Sequence, residues 1–124
     1  MPLNDKASEY RYTLAAQDEE SAEILRRERG PLTVFAYHLH QAAEKLLKGA
    51  ILESGASFPF IRNLRRLYEL LRLARDDVPD ISSAIEDLEE VYADLRYPQE
   101  DALTRDRLED IRTSYQSIFI AAKK

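Results

Sequence analysis

The sequence predicts an all-α fold, an up-and-down antiparallel bundle of about five helices. Three observations carry this reading. Ala, Leu, Glu and Arg, all strong helix formers, dominate the chain. Apolar residues recur at three- and four-residue spacing in five successive segments, and none shows the period-two alternation of a strand. Gly and Pro stand at the joints, and short connections favour antiparallel neighbours.

The first helix is expected from about Glu9 to Arg29, with Tyr10, Leu14, Gln17, Ser21 and Leu25 on its inner side. Residues 1–8 read as a tail. Gly30-Pro31 stops this helix, since Pro disfavours helical backbone before it. The second runs from about Thr33 to Glu53 and buries Phe35, Leu39, Ala42, Ala43, Leu46, Leu47 and Ala50, with Gly55 as C-terminal cap. The third spans about Phe60 to Arg75 and buries Ile61, Leu64, Leu67, Tyr68 and Leu71. The turn 76–80 leads to a fourth, with Ile81, Ala84, Ile85, Leu88, Val91, Tyr92 and Leu95 inward, ended by Pro98. The fifth runs from about Glu100 to Ala122, with Leu103, Leu108, Ile111, Tyr115, Ile118 and Phe119 inward.

At 124 residues the chain suits a single domain, 1–124, with its own core. No apolar run approaches the roughly 20 residues that span a bilayer, and the N-terminus has no apolar signal core. The chain has no Cys, which excludes disulfides, thiol catalysis and thiolate metal sites and fits a cytoplasmic protein. A net charge of -5 argues against generic nucleic-acid binding, though a local basic patch can oppose it, and no DNA-binding motif is visible. A glycine-rich phosphate loop, zinc spacing and a Ser–His–Asp arrangement are all missing, so no cofactor or metal is expected.

Two stretches carry chemistry. In the second helix Tyr37, Gln41, Glu44, Lys45 and Lys48 form a polar stripe opposite the apolar face. It reads either as a solvated face with a Glu44–Lys48 pair or as a surface for a ligand phosphate or a partner. In the fourth, Arg96 follows Tyr92 by four residues, beside the Pro98 break. Its rigid fork suits a phosphate or a carboxylate, and equally a structural ion pair. His38 and His40 are the only histidines; two apart on a helix they project roughly 200° apart and cannot share a metal. Both read mainly as packing or interface groups. The third helix is basic (Arg62, Arg65, Arg66, Arg72, Arg75) and the fourth acidic, which pairs neighbours or leaves a basic ridge for phosphates. The acidic stripe Glu86, Glu90 and Asp94 is a weak magnesium candidate, because one stripe rarely closes a coordination shell. Tyr10, Tyr12, Tyr37, Tyr92 and Tyr97 suit a half-buried interface.

The segment Gln41-Ala42-Ala43-Glu44-Lys45-Leu46-Leu47-Lys48, followed some fifty residues later by Arg96-Tyr97-Pro98 and preceded by Asp18, resembles the HEPN domain family across roughly Glu9 to Ala122. The resemblance implies a helical bundle that pairs into a homodimer, often beside a small nucleotidyltransferase in a two-component, toxin–antitoxin-like system. It implies either ribonuclease activity or nucleotide binding. Ribonuclease relatives carry a His four to six residues after the Arg, suited to acid–base work near neutrality. Here no His follows Arg96, and Arg62 stands where related sequences place another. The expectation is therefore a binding or assembly module more than an enzyme. It would use Asp18, Tyr37, Gln41, Glu44, Lys45, Lys48, Tyr92 and Arg96 toward a nucleotide, an RNA phosphate or the nucleotidyltransferase, with Asp18, Lys45 and Arg96 as one linked cluster. The alternative is a divergent metal-independent ribonuclease, with Arg96, Tyr97 and His40 as weak catalytic candidates at a dimer cleft. A third reading keeps only a helical interaction domain.

Overall fold

The computed structural model describes residues 2–58, 60, 63–96 and 105–123, with side chains from residue 7 onward and, in the fourth helix, up to residue 93. The described residues form five helices and no strand: α1 (Pro2–Arg27), α2 (Leu32–Glu53), α3 (Leu64–Ala74), α4 (Ser82–Arg96) and α5 (Arg105–Lys123). The predicted all-α bundle is therefore what the chain adopts. α2 is central and touches each of the other four. Its apolar face fills the core: Phe35, Leu39, Leu46, Leu47 and Ile51 are all essentially inaccessible. Leu64, Leu67 and Leu71 of α3, Ile85 and Leu88 of α4, and Leu108, Ile111 and Ile118 of α5 close around it.

α1 departs from expectation in two ways. It begins at Pro2, so the residues read as a tail belong to the helix from that point. Its inner seam is Ser8, Ala15 and Ala22, each at most 2% exposed, while Tyr10 is 62% exposed. Small side chains let α1 lie close on α2, where a Cβ added at Gly49 would meet the Tyr12 ring at 2.7 Å. Tyr12 in turn donates to Glu53 Oε1 at 3.2 Å. Burial, then Glu53, push its phenol well above the ordinary range.

Both ends of the α1–α2 pair use the same backbone device. After α2, Gly55 takes φ 84, with Ala56 N–H donating to Ile51 O and Gly55 N–H to Leu52 O. After α1 the left-handed position falls on Arg29 (φ 55), with Gly30 N–H donating to Leu25 O. Gly30 is needed for room instead, since a Cβ there would sit 2.5 Å from Leu25 Cδ2. A non-Gly residue in the left-handed region costs about 1 kcal/mol. Arg29→Gly is therefore expected to raise stability by roughly 0.5–1 kcal/mol, read from urea unfolding; an unchanged midpoint would mean the position is not strained.

α3 starts at Leu64, not Phe60, because Asn63 caps it: its side chain accepts from Arg66 N at 3.1 Å. Phe60 lies outside the helix and is 86% exposed. The expected start of the fifth helix and Leu103, together with Ile61, Arg62, Tyr97 and Pro98, lie outside the described residues, as do the side chains of Asp94, Leu95 and Arg96. Phe119, expected inward, is 37% exposed at the rim of α5.

Long polar side chains tie α1 to α5 across the top of α2. Tyr115 donates to Glu19 at 2.6 Å, and burial, then Glu19, push its phenol up. Arg112 reaches Glu23 at 2.7 Å and Arg26 reaches it at 3.2 Å. Burial favours protonation of Glu23, but the two guanidiniums outweigh it and hold the carboxyl below its ordinary value. A lowered folded-state value means stabilisation present above the unfolded carboxyl's ~4.3 and lost as pH falls through the lowered value. Glu23→Gln is expected to flatten that acid limb of a stability–pH curve; an unaltered limb would remove Glu23 from it.

Candidate functional site

The helical step of roughly 100° divides the polar stripe of α2. Lys45 and His38 lie on one flank of Glu44, and His40 lies on the other. The first flank turns to α1. Asp18, with 13% of its side chain exposed, accepts from His38 Nδ1 at 2.9 Å through Oδ1 and from Lys45 Nζ through Oδ2. Both carboxylate oxygens of Asp18 are thus engaged. If His38 donates through Nδ1–H, its Nε2 remains an acceptor, and the Tyr37 ring meets the imidazole edge-on at 5.5 Å.

The second flank opens a cleft between α2 and α4. Tyr37, His40, Gln41, Glu44 and Lys48 of α2, Tyr92 of α4 and Phe60 of the α2–α3 connection line about 320 Å³. This lies at the small end of the ~300–1,000 Å³ of small-molecule sites. His40 stacks on Tyr92 with ring centroids 3.9 Å apart at 15°. Its Nε2 meets Glu89 Oε1 at 3.1 Å, and its buried Nδ1 has no hydrogen-bond partner among the described residues. With the ring neutral, Nε2–H donates to Glu89 and Nδ1 is left as a lone pair. His40 thus forms part of the cleft wall and backs Tyr92.

Glu44 and Lys48 are 8% and 9% exposed, so of the two readings of the stripe a fully solvated face does not hold at these two residues. They are covered because Phe58 lies beside Lys48, 5.5 Å from Nζ to the ring centroid, and because α4 faces the same flank. Their charged atoms stand 3.8 Å apart, too far for a good direct hydrogen bond.

Of the residues singled out in the sequence, Tyr37, His40, Gln41, Glu44, Lys48 and Tyr92 come together in this cleft. Asp18 of α1 and Lys45 of α2 join each other on the flank of α2 that turns to α1. The backbone of Arg96 stands one turn beyond Tyr92 in α4, while its side chain and all of Tyr97 lie outside the described residues. Phe60 and Glu89 were missed as site residues. The apolar pattern puts Phe60 in a helix, and Glu89 meets His40, 49 residues away in the chain, only through the packing of α4 on α2.

Among the described residues, the opposed charges of α3 and α4 meet where Arg65 bonds Glu86 at 2.9 Å between exposed side chains. Asp87 turns instead to Arg107 and Ser114 of α5. Among the described residues, no group of three or more His, Cys, Asp or Glu is placed to hold a metal ion, and no helix is long and apolar enough to cross a membrane.

No curated protein and no solved structure matches the chain. The family model of the HEPN domain matches residues 8–124, which takes in α1 from Ser8 onward, the other four helices, the Asp18–His38–Lys45 cluster and the α2–α4 cleft. The chain belongs to the HEPN domain family.

Proposed function

We propose that this HEPN domain is a nucleotide-binding module that takes one base and its phosphate in the α2–α4 cleft. The observation that carries the reading is a small cleft with aromatic walls and a covered charged pair. Tyr37, Phe60 and Tyr92 line it with aromatic rings, and Gln41, Glu44 and Lys48 line it with polar groups. Base–aromatic stacking contributes roughly 1–3 kcal/mol per base. Arg96, one turn beyond Tyr92, is the proposed phosphate partner, because a guanidinium fork matches a phosphate. Asp18 and Lys45 serve by fixing the flank of α2 that carries Tyr37. The module acts in the cytoplasm as a homodimer beside a small nucleotidyltransferase, in a two-component, toxin–antitoxin-like pair.

The test is thermal unfolding of the chain with AMP, GMP, CMP and UMP. A ligand that binds only the folded state raises the midpoint. The expected result is a rise with at least one nucleotide, diminished in Arg96→Ala and in Tyr92→Ala. No rise with any of the four, at concentrations up to several millimolar, would overturn the reading.

A second reading, a divergent metal-independent ribonuclease, draws support from one contact. Asp18 holds His38 by Nδ1, the arrangement that orients an imidazole for proton transfer through Nε2. Cleavage of single-stranded RNA that disappears in both Arg96→Ala and His38→Ala would favour it over the binding module. Intact RNA would remove it.

A further inference from the structure

Arginine gathers where α1 ends and α5 begins, although the chain carries a net charge of -5. α1 finishes on Arg26 and Arg27, Arg29 follows in the turn, and Arg105 opens α5. Arg26, Arg29 and Arg105 line a pocket of about 340 Å³ with Asp106, Leu108 and Glu109. The three guanidiniums are not equivalent. Arg26 is held by carboxylates, with Nε on Glu23 at 3.2 Å and Nη1 on Glu109 at 3.4 Å. Arg29 and Arg105 are exposed, and their guanidiniums have no carboxylate partner among the described residues. Asp106 stands in the first turn of α5, where the helix dipole already favours a negative charge.

Arg29 also stands where arginine is the costly choice. Its φ of 55 is a left-handed conformation that glycine adopts freely. Non-glycine residues kept in such a conformation cluster at ligand clamps, where binding offsets the strain. The chemistry of the two unpaired guanidiniums restricts the ligand. Each fork matches an oxyanion through two oxygens. Two forks need more oxygens than one carboxylate has, and an internal phosphodiester offers only two unesterified ones. A terminal phosphate offers three and carries nearly two negative charges near neutral pH.

We infer that the pocket between the end of α1 and the start of α5 binds a terminal phosphate group through Arg29 and Arg105. Arg26 adds positive charge from its place on Glu23 and Glu109. The pocket shares no lining residue with the α2–α4 cleft, so the inference does not depend on the nucleotide reading of that cleft. Arg29→Gly separates binding from a structural role. It relieves the left-handed backbone, so the fold is kept or strengthened while the phosphate is lost.

The test is a ¹H–¹⁵N titration of the full chain with inorganic phosphate, which has no base for the cleft, against chloride at the same ionic strength. The expected result is saturable, phosphate-specific shifts at the amides of Gly30, Arg105 and Asp106. Affinity is expected to fall at least about tenfold in Arg29→Gly, with no drop in its thermal midpoint. Arg105→Ala is expected to weaken binding likewise, and it decides the matter should Arg29→Gly fail to fold. Equal shifts with chloride, or phosphate affinity unchanged in both variants, would overturn the site. A second arm compares a short single-stranded RNA bearing a 5′-phosphate with the same RNA bearing a 5′-hydroxyl. A preference for the phosphorylated end that vanishes in Arg29→Gly assigns the pocket to a nucleic-acid terminus. Phosphate-specific shifts without that preference assign it to a small phosphate.

Discussion

Leu47→Ala is expected to lose about 2–5 kcal/mol of unfolding free energy, measured by urea denaturation. Leu47 is fully buried at the middle of α2, the helix that touches all the others. Truncation forfeits the transfer energy of the lost methyl groups and leaves a void that the close-packed core around it cannot fully fill. Domains of this kind are stable by roughly 5–15 kcal/mol, so the variant should unfold at a much lower urea concentration. The slope of the transition should be unchanged, because the surface exposed on unfolding is nearly the same. A loss under about 1 kcal/mol would show that α2 is not the packing centre of the bundle.

Asp18→Ala is expected to lose about 2–3 kcal/mol. Asp18 and Lys45 have 13% and 23% of their side chains exposed, and His38 shares the same carboxylate. An exposed pair contributes about 0–1 kcal/mol, whereas removing one partner of a buried pair costs about 3–5. This cluster lies between the two cases. Removing Asp18 leaves an ammonium and an imidazole facing α1 with no acceptor. Lys45→Met should cost less, since Asp18 keeps His38 and the aliphatic stem is replaced. The double variant should recover part of the Asp18→Ala loss, because the unpaired ammonium is then gone. Additive losses in this cycle would mean that the pair does not couple.

Much of the bundle was legible in the sequence because its helices bury large residues at helical spacing. Phe35, Leu39, Leu46 and Leu47 on α2, and Ile111, Tyr115 and Ile118 on α5, stand where the pattern puts them. α1 was misread for a physical reason: its seam is Ser8, Ala15 and Ala22, and small residues pack by close approach without weighing much in a hydrophobic pattern. The late start of α3 had a local signal in Asn63, a favoured cap residue before Leu64, but the apolar Phe60 outweighed it.

The candidate site was legible as a set of residues and not as a geometry. An i, i+4 Glu–Lys pair looks the same in sequence whether it faces water or a neighbouring helix, and here Phe58 and α4 decide. The two histidine–carboxylate contacts join residues 20 and 49 apart, so no local pattern announces them. Two residues apart on one helix, His38 and His40 point to opposite flanks, where they meet Asp18 and Glu89.

The most direct test of the account is a ¹H–¹⁵N spectrum of the labelled chain titrated with GMP. Saturable shifts are expected at the amides of Tyr37, His40, Gln41, Glu44, Lys48 and Tyr92, which surround one cleft. Shifts gathered instead at the arginine-rich surface of Arg26, Arg29 and Arg105, with the cleft residues unmoved, would contradict it.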